Sequence, residues 1–365
     1  MNQTHIFSAS LPANAGSGVG THHIRLASSR AIAIWLLLCC TMLFAMVVVG
    51  GVTRLTHSGL SMVEWQPIVG AIPPLNDAEW QTTFAKYQLT PEFKLRNFDM
   101  SVGEFKGIFW WEYFHRLLGR MIGVVFFLPF LVFLARGQAR GTLAWKLGGI
   151  FLLGALQGAM GWYMVKSGLV DEPRVSHLRL TAHLGLAFLI FAAQFWVALD
   201  LLSPRLSHRL PGIQSAKSLR RFAQLLAGLV FVMVLSGGLV AGLRAGLAYN
   251  TFPLMHGQFM PSDMFVIEPW YANFFGNMGT VQFDHRLIAW LLVMLIPTLW
   301  WRIKQATVPA STRIASHLVL GALTIQFTLG VATLLLAVPV ALGAAHQAGA
   351  LILFSSVLYL AHELS

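Results

Sequence analysis

Four histidines, His115, His183, His285 and His346, stand at equivalent points in this chain. Each opens a long apolar segment, and the four segments are alternate members of a run of eight. If successive segments cross a membrane in opposite senses, all four imidazoles come to one face, as two pairs at one depth. Neutral imidazole is a common axial ligand of haem iron, and helix bundles readily hold a cofactor between facing helices. Two separated pairs suit two planar macrocycles. Zinc fits less well, because no cysteine or acidic cluster accompanies the histidines.

The segments that must position these rings lie at 31–52, 114–135, 147–165, 180–202, 222–243, 283–301, 316–338 and 341–361. Each is long enough to cross a hydrocarbon core of about 30 Å at about 1.5 Å per residue. Of the 365 residues, 56% are hydrophobic and 11% charged, with a mean hydropathy of +0.66. A soluble domain carries about twice that share of charge. The fold expected is all-α: a polytopic membrane protein of eight transmembrane helices.

The net charge of +11 could signal nucleic-acid binding, but its placement reports topology instead. With the N-terminus inside, thirteen basic residues fall on the inner side: Arg25, Arg30, Arg136, Arg140, Lys146, Arg205, Arg209, Lys217, Arg220, Arg221, Arg302, Lys304 and Arg313. The outer stretches 245–282 and 339–345 hold none, and 166–179 holds Lys166, Arg174 and Arg179. The first outer loop holds five, yet long loops weigh little in this count. Both termini are therefore expected to be cytoplasmic, with the lipid bilayer as partner and no nucleic acid. Residues 1–30 lack both acids and an apolar core, and read as a disordered cytoplasmic tail, not a secretory signal. A mitochondrial presequence would carry more arginine. Adjacent Cys39 and Cys40 point in different directions from one helix and read as small apolar residues.

The eight segments divide into two pseudo-symmetric four-helix bundles, 31–202 and 222–361, joined by a basic, proline-containing inner linker at 203–221. Four correspondences, in one order, indicate duplication. Gly50-Gly51 matches Gly237-Gly238 at an offset of 187, and Glu112–Leu117 matches Gln282–Leu287 at 170. Gln157…Gly161 matches Gln326…Gly330 at 169, and His183 matches His346 at 163. Both halves start inside, so the repeat is parallel. The outer loops 53–113 and 244–282 are long and rich in aromatics and proline. They either fold over the membrane face or form an aromatic belt.

One difference between the halves bears on chemistry. Glu112 lies three residues before His115, on about the same helix face; its counterpart, Gln282, cannot ionise. One site thus has an acid–base or nucleophilic carboxylate that the other lacks, unless Glu112 is spent on an ion pair with Arg116. Arg116 and Arg286 each follow a histidine and match haem propionates in charge and geometry, with Arg120 one turn further on. The alternative is that they snorkel to outer headgroups.

From about residue 30 onward the chain resembles the haem A synthase family. The resemblance rests on GGVTRLTHSGLSMVEW (50–65), FWWEYFHRLLG (109–119), QGAMGWYMVKSG (157–168), GLRAGLAYNTFPLM (242–255) and FFGNMGTVQFDHR (274–286). It is to the branch shared by alphaproteobacteria and mitochondria, because the outer-loop cysteine pair of the other branch is absent. His57 stands where that family usually has another polar residue.

The resemblance implies that the N-terminal half binds the substrate haem O between His115 and His183. It implies a haem b cofactor between His285 and His346. The C8 methyl group of haem O becomes a formyl group, with water as the oxygen source and Glu112 acting as base or nucleophile. Haem O synthase and cytochrome oxidase assembly factors are the implied partners, and a homo-oligomer is compatible with the reading. The implied location is the bacterial inner membrane, or the mitochondrial inner membrane in a eukaryote. Two readings from other classes compete. One is a dihaem b-type cytochrome in quinol electron transfer, which does not need the Glu112/Gln282 difference. The other is a two-repeat transporter with a histidine proton relay, whose site should lie nearer midplane.

Overall fold

The structure is a computed structural model that describes residues 17–65, 69–170, 173–203 and 213–365. Eight of its helices are long and apolar enough to cross a membrane. The first four are α1 (Ser17–Leu55), α4 (Val102–Ala135), α5 (Gly141–Lys166) and α6 (His177–Leu202). The second four are α7 (Ile213–Leu243), α9 (Met278–Gln305), α10 (Ala310–Leu335) and α11 (Val340–Glu363). Short helices α2 (Asp77–Gln88), α3 (Pro91–Arg96) and α8 (Asn273–Gly276) lie between spans. Among the described residues there is no strand. The protein is an all-α, polytopic membrane protein.

Several helices outrun their apolar segments because polar caps, not hydrophobicity, set their ends. Ser101 and Glu104 form a capping box that starts α4 at Val102, well before the expected 114. The Asn277 side chain accepts from the Thr280 amide at 3.0 Å and starts α9 at Met278 instead of 283. At its N-terminal end α1 is helical from Ser17, so residues 17–30, expected as a disordered tail, continue the first span; no proline interrupts the chain there. Residues 213–221 of the linker are likewise the first turns of α7. The rest of the tail, 1–16, and of the linker, 204–212, lie outside the described residues.

In the first half, α1, α4, α5 and α6 form a ring in which each packs on the next; in the second, α7, α9, α10 and α11 do the same. The halves join where α1 and α6 meet α7 and α11. One continuous apolar core runs through both, from Ile32 and Leu36 on α1 to Leu351 and Val357 on α11. Polar ties cross it: Trp35 Nε1 donates to the Val125 carbonyl at 2.8 Å, and Gln347 Nε2 donates to the Val47 carbonyl at 3.1 Å. At the end of the bundles where α6 and α11 finish, Asp200 meets His362 at 3.1 Å and Lys146 at 3.6 Å. Cys39 and Cys40 are buried and free, as expected of small apolar residues.

The long segment between α1 and α4 folds against the end of the first bundle. Trp80, Phe84 and Tyr87 of α2 pack on Phe105, Phe109 and Tyr113, which line the outward extension of α4. This aromatic cap holds α2 and α3 above the first bundle. Its position decides where Glu112 sits.

Candidate functional site: two histidine pairs and one buried carboxylate

The ring order places α4 diagonally opposite α6, and α9 diagonally opposite α11. His115 on α4 therefore faces His183 on α6 across the first bundle, and His285 on α9 faces His346 on α11 across the second. Each pair is near enough for one ring to influence the charge of the other.

Each ring rests against a glycine of the neighbouring helix. A methyl group built on Gly50 would come within 3.0 Å of His115, on Gly161 within 3.0 Å of His183, on Gly237 within 3.3 Å of His285, and on Gly330 within 2.8 Å of His346. These seats need residues without a Cβ, because any larger side chain would push the ring toward the bundle centre. The sequence comparison of halves found the four glycines as marks of duplication and missed their use.

Other ring contacts also follow the repeat. Gln157 Nε2 lies 3.1 Å from the His183 carbonyl and 3.4 Å from its Nε2. Nδ1 of His183 and of His346 are both buried without a hydrogen-bond partner. So are Oε1 of Gln157 and of Gln326. Buried polar atoms without partners are costly and demand a reason; a ligand between the helices supplies one. Among the described residues no group of three His, Cys, Asp or Glu side chains gathers to hold a bare metal ion.

Glu112 is 2% exposed and fully engaged. Its Oε1 accepts from Arg116 Nη2 at 2.6 Å and Nε at 3.1 Å. Its Oε2 accepts from the Ser61 hydroxyl at 2.7 Å and the Met62 amide at 2.8 Å. Four hydrogen bonds, two of them from the Arg116 guanidinium, fix both oxygens of the side chain one helical turn from His115. Ser61 and the Met62 amide, about fifty residues away in sequence, were not foreseen.

Arg116 and Arg286 play matching parts. Arg116 donates from Nη2 to the Met62 carbonyl at 2.8 Å and from Nη1 to the Glu64 carbonyl at 3.0 Å. Arg286 donates from Nη2 to Tyr249 at 2.8 Å and from Nη1 to Thr251 at 2.9 Å. Met62 and Tyr249 are 187 apart in sequence, as are Glu64 and Thr251, which is the Gly50–Gly237 offset. Each arginine thus clamps its own outer loop over its bundle. Trp65 lies 5.3 Å beneath the Arg116 guanidinium. Nε of Arg286 is buried without a partner.

His57 is exposed and stands apart from both pairs; its Nδ1 meets Arg244 Nη2 at 3.0 Å. The two residues are themselves 187 apart, so the halves touch here through equivalent positions. Behind the aromatic cap, Glu92 on α3 is 4% exposed, with Oε2 unpartnered. Burial, followed by the charge on Glu112, pushes its carboxyl up to about 7, against the pull of Arg96 and Arg244.

Residues 33–358 match the sequence profile of the cytochrome oxidase assembly protein family COX15-CtaA. The chain is 61% identical over 340 residues to a protein of Nitrosospira multiformis named "Heme A synthase", covering 93% of this chain and 95% of that one. A protein of the same name from Nitrosomonas eutropha is 60% identical over 334 residues, covering 92% and 94%. "Heme A synthase COX15" of Mus musculus is 44% identical over 355 residues, covering 95% and 86%.

Proposed function

The chain belongs to the cytochrome oxidase assembly protein family COX15-CtaA, and from that premise we propose that it is a haem A synthase that oxidises the C8 methyl of haem O to a formyl group. Haem O is held as substrate between His115 and His183. Haem b is held as cofactor between His285 and His346. The reading is supported most by a single contrast: two bundles with equal histidine pairs and glycine seats, of which only the first has a buried carboxylate beside its pair.

The residues fit a planar iron macrocycle in each bundle. Imidazoles on diagonal helices suit two axial bonds to one iron, and the buried, unpartnered Nδ1 of His183 and His346 and Oε1 of Gln157 and Gln326 are polar atoms that a bound group would satisfy. Bound haem b supplies one-electron redox chemistry beside the substrate.

The protein's own residues do the rest. His115 and His183 set the depth of the substrate ring and expose one edge to Glu112. Converting a methyl to a formyl group, with water as oxygen source, releases four protons and four electrons in all. Glu112 accepts a proton or stabilises the positive charge that develops as electrons leave. Arg116 pairs with that side chain and fixes its direction. The loops clamped by Arg116 and Arg286 keep bulk water from the outer ends of both bundles. For propionate binding, the unpartnered Nε of Arg286 is the donor available; the rest of both guanidinium groups serves the clamps.

The enzyme lies in the bacterial inner membrane, or the mitochondrial inner membrane in a eukaryote, with both termini inside. It receives haem O from haem O synthase and passes haem A to oxidase assembly factors. The decisive experiment extracts pigment from purified protein, co-expressed with a source of haem O, and separates haems B, O and A by chromatography. Haem B together with haem A is expected. A colourless preparation, or one holding haem B alone under ample haem O, overturns the proposal.

A further inference from the structure

The two histidine pairs are held differently at one of their four rings. Nδ1 of His285 lies 2.8 Å from the Ser236 hydroxyl, one residue before the glycine on which the ring rests. The same hydroxyl donates its only proton to the Met233 carbonyl at 2.9 Å. Its oxygen must then accept from Nδ1–H, which leaves the lone pair of His285 on Nε2.

The corresponding position in the first half, 187 residues earlier, is Val49, which offers no hydrogen bond. His115 accordingly lies the other way round. Nε2 and Cδ2 of His115 face its glycine, at 3.0 and 3.4 Å from a methyl built on Gly50. In His285 it is Cε1 and Nδ1 that face Gly237, at 3.3 and 3.9 Å. The other ring of each pair shows no such difference. His183 points Cε1 at Gly161, at 3.0 Å with Nδ1 and Nε2 at 3.6 and 3.7 Å, and His346 points Cε1 at Gly330, at 2.8 Å with Nδ1 and Nε2 at 3.5 and 3.6 Å. The seating of the rings thus differs between the ring with the serine and the ring without it, whereas His183 and His346 share one seating, His183 with an added 3.4 Å contact from Gln157 Nε2 to its Nε2.

We propose that Ser236 is a positioning residue that fixes His285 with Nε2 toward the bundle centre, making the second half a retaining site, while Val49 leaves His115 free to turn, making the first half a releasing site. This rests on the reading of the four histidines as iron ligands. It accounts for a requirement of that reading: a substrate must enter and its product leave, whereas a cofactor must stay. Hydrogen bonds to the far nitrogen of a ligating histidine hold the ring in register and strengthen it as a donor. Their loss ordinarily weakens binding by about 10–100-fold.

The test compares Ser236→Val, Ser236→Thr, Val49→Ser and His285→Ala in purified, full-length protein. Loss of haem b to excess apomyoglobin is timed, and the low-spin ferric EPR spectrum is recorded. Ser236→Val should release haem b at least about tenfold faster, with shifted g-values. Ser236→Thr, which keeps the hydroxyl, should restore both. Val49→Ser should slow the transfer of haem A out of the first site. If His285→Ala loses haem b while Ser236→Val keeps wild-type release and g-values, the positioning role is overturned and the ligand reading stands. If His285→Ala itself retains haem b, the ligand reading falls first.

Discussion

Glu112 and Gln282 occupy the same place in the two halves but bind their loops in opposite senses. Glu112 accepts from the Met62 amide and the Ser61 hydroxyl, whereas Gln282 Nε2 donates to the Ala245 carbonyl at 3.0 Å and the Tyr249 carbonyl at 3.3 Å. A neutral amide and a charged carboxylate thus do the same structural job. Glu112→Gln should therefore still fold and bind haem b. It should yield no haem A, because the carboxamide neither takes a proton nor carries charge. Glu112→Ala is a harsher change, since it strands the buried Arg116 guanidinium, at a cost on the order of 3–5 kcal/mol. Haem chromatography and thermal melting of both variants check this. Haem A production by Glu112→Gln would remove the residue from the chemistry.

The diagonal pairing predicts that the histidines fail in twos. His285→Ala and His346→Ala should each lower haem b content severely. His115→Ala and His183→Ala should leave the haem b spectrum intact while abolishing haem O binding and haem A formation. The reduced optical spectrum and the extracted haems distinguish the pairs. A His115 variant that loses haem b as fully as a His285 variant would mean that the sites are not separate.

Much of this arrangement was legible in the residues, because duplication writes each element twice. Eight apolar segments and four histidines at alternate openings specify the bundles and which helices face. Hydrophobicity could not locate helix ends fixed by polar caps. The capping box of Ser101 and Glu104 adds turns to α4 that hydropathy treats as loop, and those turns carry the aromatic cap. Contacts between distant residues were also hidden. The bond of Ser61 to Glu112 spans 51 positions and that of Ser236 to His285 spans 49, and neither leaves a periodic trace. Arg116 and Arg286 were noticed for their charge, but their work on loop carbonyls depends on backbone geometry. The match of Met62 with Tyr249 was available only after the loops were aligned at the glycine offset.

The glycine seats predict site-selective damage from the smallest possible substitution. Gly330→Ala sets a methyl 2.8 Å from Cε1 of His346, so ring or helix must shift. Overpacking of this kind costs about 1–3 kcal/mol, which, felt at the ligand, corresponds to about a 5- to 150-fold loss in haem b affinity. Gly161→Ala should injure the first site through His183 and spare haem b. Alanine favours helix over glycine by about 1 kcal/mol, which offsets part of that cost in the haem-free state, so any loss in melting temperature should be small beside the loss of haem. Titrating each variant with haem, and comparing haem b content with haem A yield, checks the selectivity. Equal loss of haem b in both variants would contradict it.

Glu92 gives a pH signature that belongs to the outer cap. Its carboxyl is raised from 4.5 to about 7 in the folded protein, first by burial and then by the negative charge of Glu112. Between those values the folded state holds a proton that the unfolded chain has lost, so stability falls as pH rises through this window. Below it both states are protonated and above it both are ionised, so the contribution levels off. The full loss is up to about 3 kcal/mol. Glu92→Gln should flatten the dependence, leaving a variant that melts above wild type at pH 8 and close to it at pH 5. Melting curves at pH 5, 6, 7 and 8 in one detergent are enough. An unchanged slope in the variant would assign the pH dependence to another group and leave Glu92 ionised behind the cap.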